Sequence, residues 1–108
     1  MPRAGGAVTL ALRMHALDAL GSPIRRDILR TLRVSPLSVG ELAAKLPVSR
    51  PAVSRHLRLL DQAGLVEARA EGTRSVYAVR VRGLAPVRDF LDEFWDVALS
   101  RLQQMARR

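Results

Sequence analysis

Cysteine is absent from this 108-residue chain, lysine occurs once, at Lys45, histidine twice, and the aromatic residues are only Tyr77, Phe90, Phe94 and Trp95. Without thiols there is no disulfide framework, no thiolate nucleophile and no thiolate metal site. Every apolar stretch is broken by Arg, Asp or Gly well short of the roughly 18 residues a membrane helix needs, so no membrane partner is expected. Residues 1 to 13 carry Arg3 and a short apolar "AVTLAL", but Arg13 follows at once and no small-residue cleavage site is present. A secretory signal is therefore not expected, and the expected location is cytoplasmic.

Acidic residues are also scarce, ten against eighteen basic ones, for a formal net charge of +8. Between Ser22 and Arg82 there are twelve basic residues and five acidic; between Gly83 and Ser100 only Arg88 opposes Asp89, Asp92, Glu93 and Asp96. A GC-rich genome would explain arginine in place of lysine but not this segregation by region. A localised positive field of this kind suits a polyanion.

Apolar residues are nearly half of the sequence, enough for one small folded domain. In "AVTLALRMHALDALG" (7 to 21), Leu10, Met14, Leu17 and Leu20 recur at helical spacing, and Gly21 provides a stop. "SPIRRDILRTLR" opens a second helix with Ser22 as N-cap and Pro23 in its first turn. "VSPL" is a turn or very short strand. Ser38 and Glu41 form a capping box for a third helix over about 38 to 46. Ser49 caps a fourth, with Pro51 in its first turn, and Gly64 ends it. Val66, Ala68 and Ala70, then Val76, Tyr77 or Ala78, and Val79 alternate around "EGTR", which predicts a hairpin. From Leu84 onward, Val87, Phe90, Leu91, Phe94, Ala98, Leu102 and Met105 keep helical spacing for over five turns, with Pro86 at the start. The predicted fold is mainly α with a small β-hairpin, ordered α-α-α-α-β-β-α. That is a winged helix-turn-helix filling 1–108 as one domain.

On the fourth helix, Val53, Leu57 and Leu60 share one face, whereas Pro51, Arg55, Arg58 and Gln62 fall opposite, with Ser54 on the flank and His56 near the edge of the core face. Such a face can enter a major groove, where arginine bonds guanine bidentately and Ser or Gln is more permissive. Arg50, Ser54 and Arg55 are candidates for base or adjacent phosphate contacts and His56 and Arg58 for phosphate, with Ser49 and Pro51 also among the DNA-binding residues. Gly72, Thr73 and Arg74 form a short, flexible, basic hairpin tip for the backbone or minor groove, and Arg69 adds a phosphate contact, although Glu67 beside it can pair with such a charge. The apolar stripe of Val87, Phe90, Leu91, Phe94, Ala98 and Leu102 is too long for so small a domain to cover, which predicts a second copy, with Trp95 also at that interface.

The stretches "ALGSPIRRDILRTLR" and "LSVGELAAKLPVSRPAVSRHLRLLDQAGLVEARAEGTRSVYAV", with the terminal aromatic helix, resemble the ArsR/SmtB family of winged-helix repressors. The resemblance implies a homodimer built by the first and last helices, which brings Leu10, Met14 and Leu17 into the interface. It also implies that the helix at 49–63 reads double-stranded DNA, with the wing over about 69–76. Metal-sensing members carry thiolates in the helix before the recognition helix; the matching positions here are Ser38, Gly40 and Ala43, none a soft ligand. No histidine follows His56, so the acidic residues of the last helix lack the partners of the family's second metal site. No metal and no cofactor are expected, and the resemblance is to the metal-independent branch. His15 is expected as a partly buried residue of the first helix, and neither histidine has the partners of a catalytic triad. The expectation is a non-enzymatic, sequence-specific repressor on an inverted-repeat operator. The alternative is a winged-helix protein-interaction module for an acidic partner. The sequence identifies no effector ligand.

Overall fold

The computed structural model describes residues 15–107. Leu10, Met14 and most of the helix expected over 7–21 lie outside the described residues. The elements are α1 (Ala16–Ala19), α2 (Pro23–Leu32), α3 (Val39–Lys45), α4 (Arg50–Gln62), β1 (Val66–Glu71), β2 (Arg74–Val79), a 3-10 turn (Val81–Leu84) and α5 (Ala85–Ala106). No helix among the described residues is long and apolar enough to cross a membrane.

Side chains set the helix starts. The hydroxyls of Ser22 and Ser49 accept from the amides of Arg25 and Ala52, both at 3.3 Å. Ser38 and Glu41 close both halves of the capping box, at 3.2 and 2.9 Å. These bonds satisfy amides that a helix start leaves unpaired. At α1 the expectation needs correction. His15 does not continue a helix: it is extended, at φ −72° and ψ 151°, and its Nδ1 accepts from the Leu17 amide at 3.1 Å. The imidazole takes the place of the usual capping hydroxyl, which leaves the ring exposed rather than partly buried.

Ala16 and Ala19 of α1, Ile28 and Leu32 of α2, Leu42 of α3, and Val53, Leu57 and Leu60 of α4 converge with Leu65 and Val66 into one core. Fully burying three aliphatic side chains from α4 contributes roughly 5–9 kcal/mol before chain entropy is subtracted. That burial fixes which side of α4 is left outside.

The strands pair antiparallel with Val66 opposite Val79 and Glu71 opposite Arg74, and Gly72 at φ 64° makes the turn. Leu37 bridges to Tyr77, so the "VSPL" segment adds a short third rung. The strand alternation holds only near the base. Ala68 and Ala70 are exposed, because the hairpin projects beyond the core that Val66, Val76 and Ala78 reach.

At the end of α4, Leu65 N–H donates to Leu60 C=O and Gly64 N–H to Asp61 C=O, both at 2.9 Å, with Gly64 at φ 77°. This paired closure requires a left-handed residue, which glycine adopts without steric cost. The 3-10 turn returns the chain against the same point: the Gly83 backbone packs on Gly64 so closely that a side chain there would collide with it. From this junction α5 runs for 22 residues, about 33 Å at 1.5 Å per residue. Val87 packs on the core, so it serves this copy as well as the expected stripe. Beyond it the apolar side chains are open, from Phe90 at 42% exposure to Phe94 at 62% and Trp95 at 64%. Phe90 and Phe94 meet edge to face, with centroids 5.1 Å apart.

Candidate nucleic-acid interface

Helix α4 divides cleanly by burial. Val53, Leu57 and Leu60 are inside; Arg50, Pro51, Arg55, Arg58, Asp61 and Gln62 are exposed, with Ser54 half-buried at the boundary and Ser49 exposed at the cap. This is the division expected of an amphipathic helix whose outer side is free for a ligand.

His56 lies at the edge of the packed face, as its helical angle predicts. Its ring is half-buried, beside Leu57, and its Nδ1 lies 3.5 Å from the Arg25 guanidinium of α2. Helical rotation puts residue 56 between Ala52 and Leu60 on the packed side, away from Arg55 and Arg58. It is therefore a packing-face residue and not part of the exposed stripe. Burial, then Arg25, then Arg55 lower its pKa, each disfavouring the imidazolium.

The arginines of this region have different surroundings. Arg50 lies along α3, its guanidinium carbon 3.5 Å from where a Gly40 side chain would begin. Arg69 pairs with Glu67 of its own strand at 3.0 Å. Arg74, expected on a flexible tip, is instead ion-paired with Glu41 of α3, 33 residues away in sequence. The wing is thus tied to the start of the helix before α4. Glu41 has its pKa lowered chiefly by the Ser38 backbone N–H and then the Ser38 hydroxyl; desolvation opposes them, and Arg74 adds a lesser lowering. Among the described residues, Arg55 and Arg58 form no ion pair. Thr73 is exposed at the hairpin tip beside Gly72.

The structure therefore brings Ser49, Arg50, Pro51, Ser54, Arg55 and Arg58 to one helix side, with Arg69, Thr73 and Arg74 on the hairpin. Sequence reasoning missed Glu41 as the partner of Arg74 and Arg25 as the partner of His56. The capping-box glutamate was visible only as a local signal, and nothing local marks a contact across the fold.

Residues 22–68, from the cap of α2 into β1, match the family described as "Bacterial regulatory protein, arsR family". The chain is 51% identical over 91 residues to the HTH-type transcriptional regulator Rv2034 of Mycobacterium tuberculosis, covering 84% of this chain and 85% of that protein. It is 38% identical over 71 residues to the HTH-type transcriptional repressor SmtB of the same species, covering 66% of this chain and 53% of that protein. A solved structure, the ArsR-like transcriptional regulator from Rhodococcus sp. RHA1, superposes with a TM-score of 0.65 at 31% identity over 96% of this chain and 95% of that one. The matched region contains α2, α3 and the whole of α4, the helix that carries the exposed Arg55 and Arg58. On sequence and fold together, the chain belongs to the arsR family of bacterial regulatory proteins and is a winged helix-turn-helix transcriptional regulator, not an enzyme.

Proposed function

We propose that two copies of this protein bind an inverted-repeat operator in double-stranded DNA and repress transcription from it in the cytoplasm. The observation that carries the reading is the outer side of α4, where Arg55 and Arg58 stand exposed beside Ser54 without acidic partners among the described residues. In this reading the segment 49–63 lies in the major groove. Arg55 and Ser54 meet base edges, Arg50 and Arg58 meet bases or the adjoining phosphates, and Ser49 and Pro51 fix the entry of the helix. The wing over 69–76 follows the backbone or minor groove through Arg69, Thr73 and Arg74. His56 is left out, because its ring faces α2.

The second copy covers the open stripe of α5, Phe90, Leu91, Phe94, Trp95, Ala98 and Leu102, together with Leu17 and the N-terminal Leu10 and Met14. A helix with this many exposed apolar groups gains from burying them against its own equivalent, and a two-fold axis makes the contact self-complementary.

Selection of binding sites from random duplex DNA with the purified protein tests the whole reading. The expected product is a palindrome whose half-sites lie about 34 Å apart, one helical turn. Affinity for it should fall with a log–log salt slope of about −0.9 per phosphate neutralised. No enrichment above input would refute sequence-specific binding, and an enriched site lacking two-fold symmetry would refute the dimeric geometry. A reporter carrying the selected site separates repression from activation.

A further inference from the structure

We infer that Arg25 is a positioning residue that sets α4 against the end of α1 through His56, whose ring it holds with the proton on Nε2. The inference rests on the DNA-reading role of α4 proposed above.

Arg25 stands in α2, but its side chain serves two other helices. Nε donates to the Ala19 carbonyl at the end of α1, at 2.8 Å, and Nη1 lies 3.5 Å from His56 Nδ1 in α4. A guanidinium has donors only, so Nδ1 is the acceptor and the neutral ring carries its proton on Nε2. The environment agrees: His56 is half-buried beside fully buried Leu57, and the guanidiniums of Arg25 across the helix interface and Arg55 on its own helix both disfavour its charged form.

Closing the end of α1 does not by itself require this arrangement. The next carbonyl, Leu20, is met by Arg26 Nη1 at 2.7 Å, and any cation near a helix C-terminus is favourable there. What arginine adds is a rigid planar fork that can address a carbonyl with one edge and an imidazole with another, which a lysine ammonium on its flexible stem cannot do in fixed geometry. The fork joins α1, which packs against both α4 and α5, to the residue next to Arg55. A change in the rotation of α4 about its axis would swing the outer stripe, and bidentate base contacts tolerate little displacement.

Long-range 15N–1H correlation of the imidazole rings in the labelled full-length protein reads the tautomer, with His15→Gln used to assign the signals. Operator and random-duplex affinities read the consequence. The wild type should show His56 as the Nε2–H form. Arg25→Lys should lose that fixed tautomer and about tenfold in the operator-to-random ratio, the lower range of one base contact, while keeping its circular dichroism spectrum. His56→Asn, whose Oδ1 stands near the position of Nδ1 as an acceptor, should keep the ratio, and His56→Leu should lose it; this pair carries the test if Arg25→Lys does not fold. A wild-type ring protonated on Nδ1 or averaging between tautomers overturns the inference, as does an unchanged ratio in Arg25→Lys or equal ratios in His56→Asn and His56→Leu. If the wild type discriminates and every variant does too, only the positioning role fails. If the wild type itself shows no operator preference, the DNA-reading role of α4 fails and the positioning role falls with it.

Discussion

Two glycines that touch each other should respond very differently to the same methyl group. At Gly83 an added Cβ would overlap the Gly64 carbonyl oxygen, lie 2.7 Å from its carbon, and lie 3.3 Å from Leu65 Cα. All three atoms belong to backbone already fixed by the closure of α4, so no side chain can swing aside. The chain must part at the junction, which strains the Arg80 N–H to Leu65 C=O bond of 2.8 Å that starts the return. Overpacking costs about 1–3 kcal/mol and a lost hydrogen bond about 1 more, so Gly83→Ala should destabilise by about 2–4 kcal/mol. At Gly64 the space is open, the nearest atom being Arg80 Nη1 at 3.9 Å, and the penalty is the φ of 77° alone. That is about 1 kcal/mol. Urea unfolding followed by circular dichroism, at one fixed protein concentration because association shifts the midpoint, measures both. If Gly83→Ala costs no more than Gly64→Ala, the close approach does not govern the junction.

Three further outcomes are expected. Arg55→Ala should reduce discrimination between operator and random DNA by about 1–3 kcal/mol; equal weakening on both duplexes would make Arg55 a phosphate contact. If two copies pair through α5 as proposed, the wild type should sediment as a dimer and Phe94→Glu as a monomer with its helical content intact, since Phe94 is 62% exposed and outside the core of one copy; a variant that remains dimeric places the interface elsewhere. Glu41 has its carboxyl held below its ordinary pKa, so its contribution to stability is present at neutral pH and disappears as pH falls through that lowered value. Denaturation of the wild type and Glu41→Gln across the acid range should show their midpoints converging on acidification, and a gap that persists after protonation would rule out the ionised carboxylate as its source.

Much of the fold was legible because its signals are local. Ser22, Ser38 and Ser49 each announce a helix start, Gly64 an end, and the spacing of Val53, Leu57 and Leu60 the buried face; each of these depends on a few consecutive residues and the period of a helix. The 3-10 turn, the need for glycine at position 83, and the exposed Ala68 and Ala70 were not legible, because they depend on what lies across space. His56 is the instructive failure. Its helical angle already placed it near the core, but its charge suggested phosphate, and only the position of Arg25 decides between them. Arg74 failed in the opposite direction, since Gly72 beside it suggests mobility whereas Glu41, far away in sequence, supplies an anchor.

The arginine excess therefore separates into uses that composition cannot distinguish. Arg25 and Arg26 meet the open carbonyls of α1, Arg30, Arg69 and Arg74 pair with Asp27, Glu67 and Glu41, and Arg50 lies along Gly40. All of them still contribute to the long-range field, because pairing one guanidinium with one carboxylate leaves the surplus of +8 unchanged. That surplus can draw the protein to any duplex and set its salt response, but a field carries no information about base order. Discrimination requires donors free to form bonds of defined geometry at base edges. On α4 the proposed reading narrows those conditions to Arg55 and Arg58 with Ser54 beside them, so under that reading attraction to DNA and choice of sequence rest on largely different side chains.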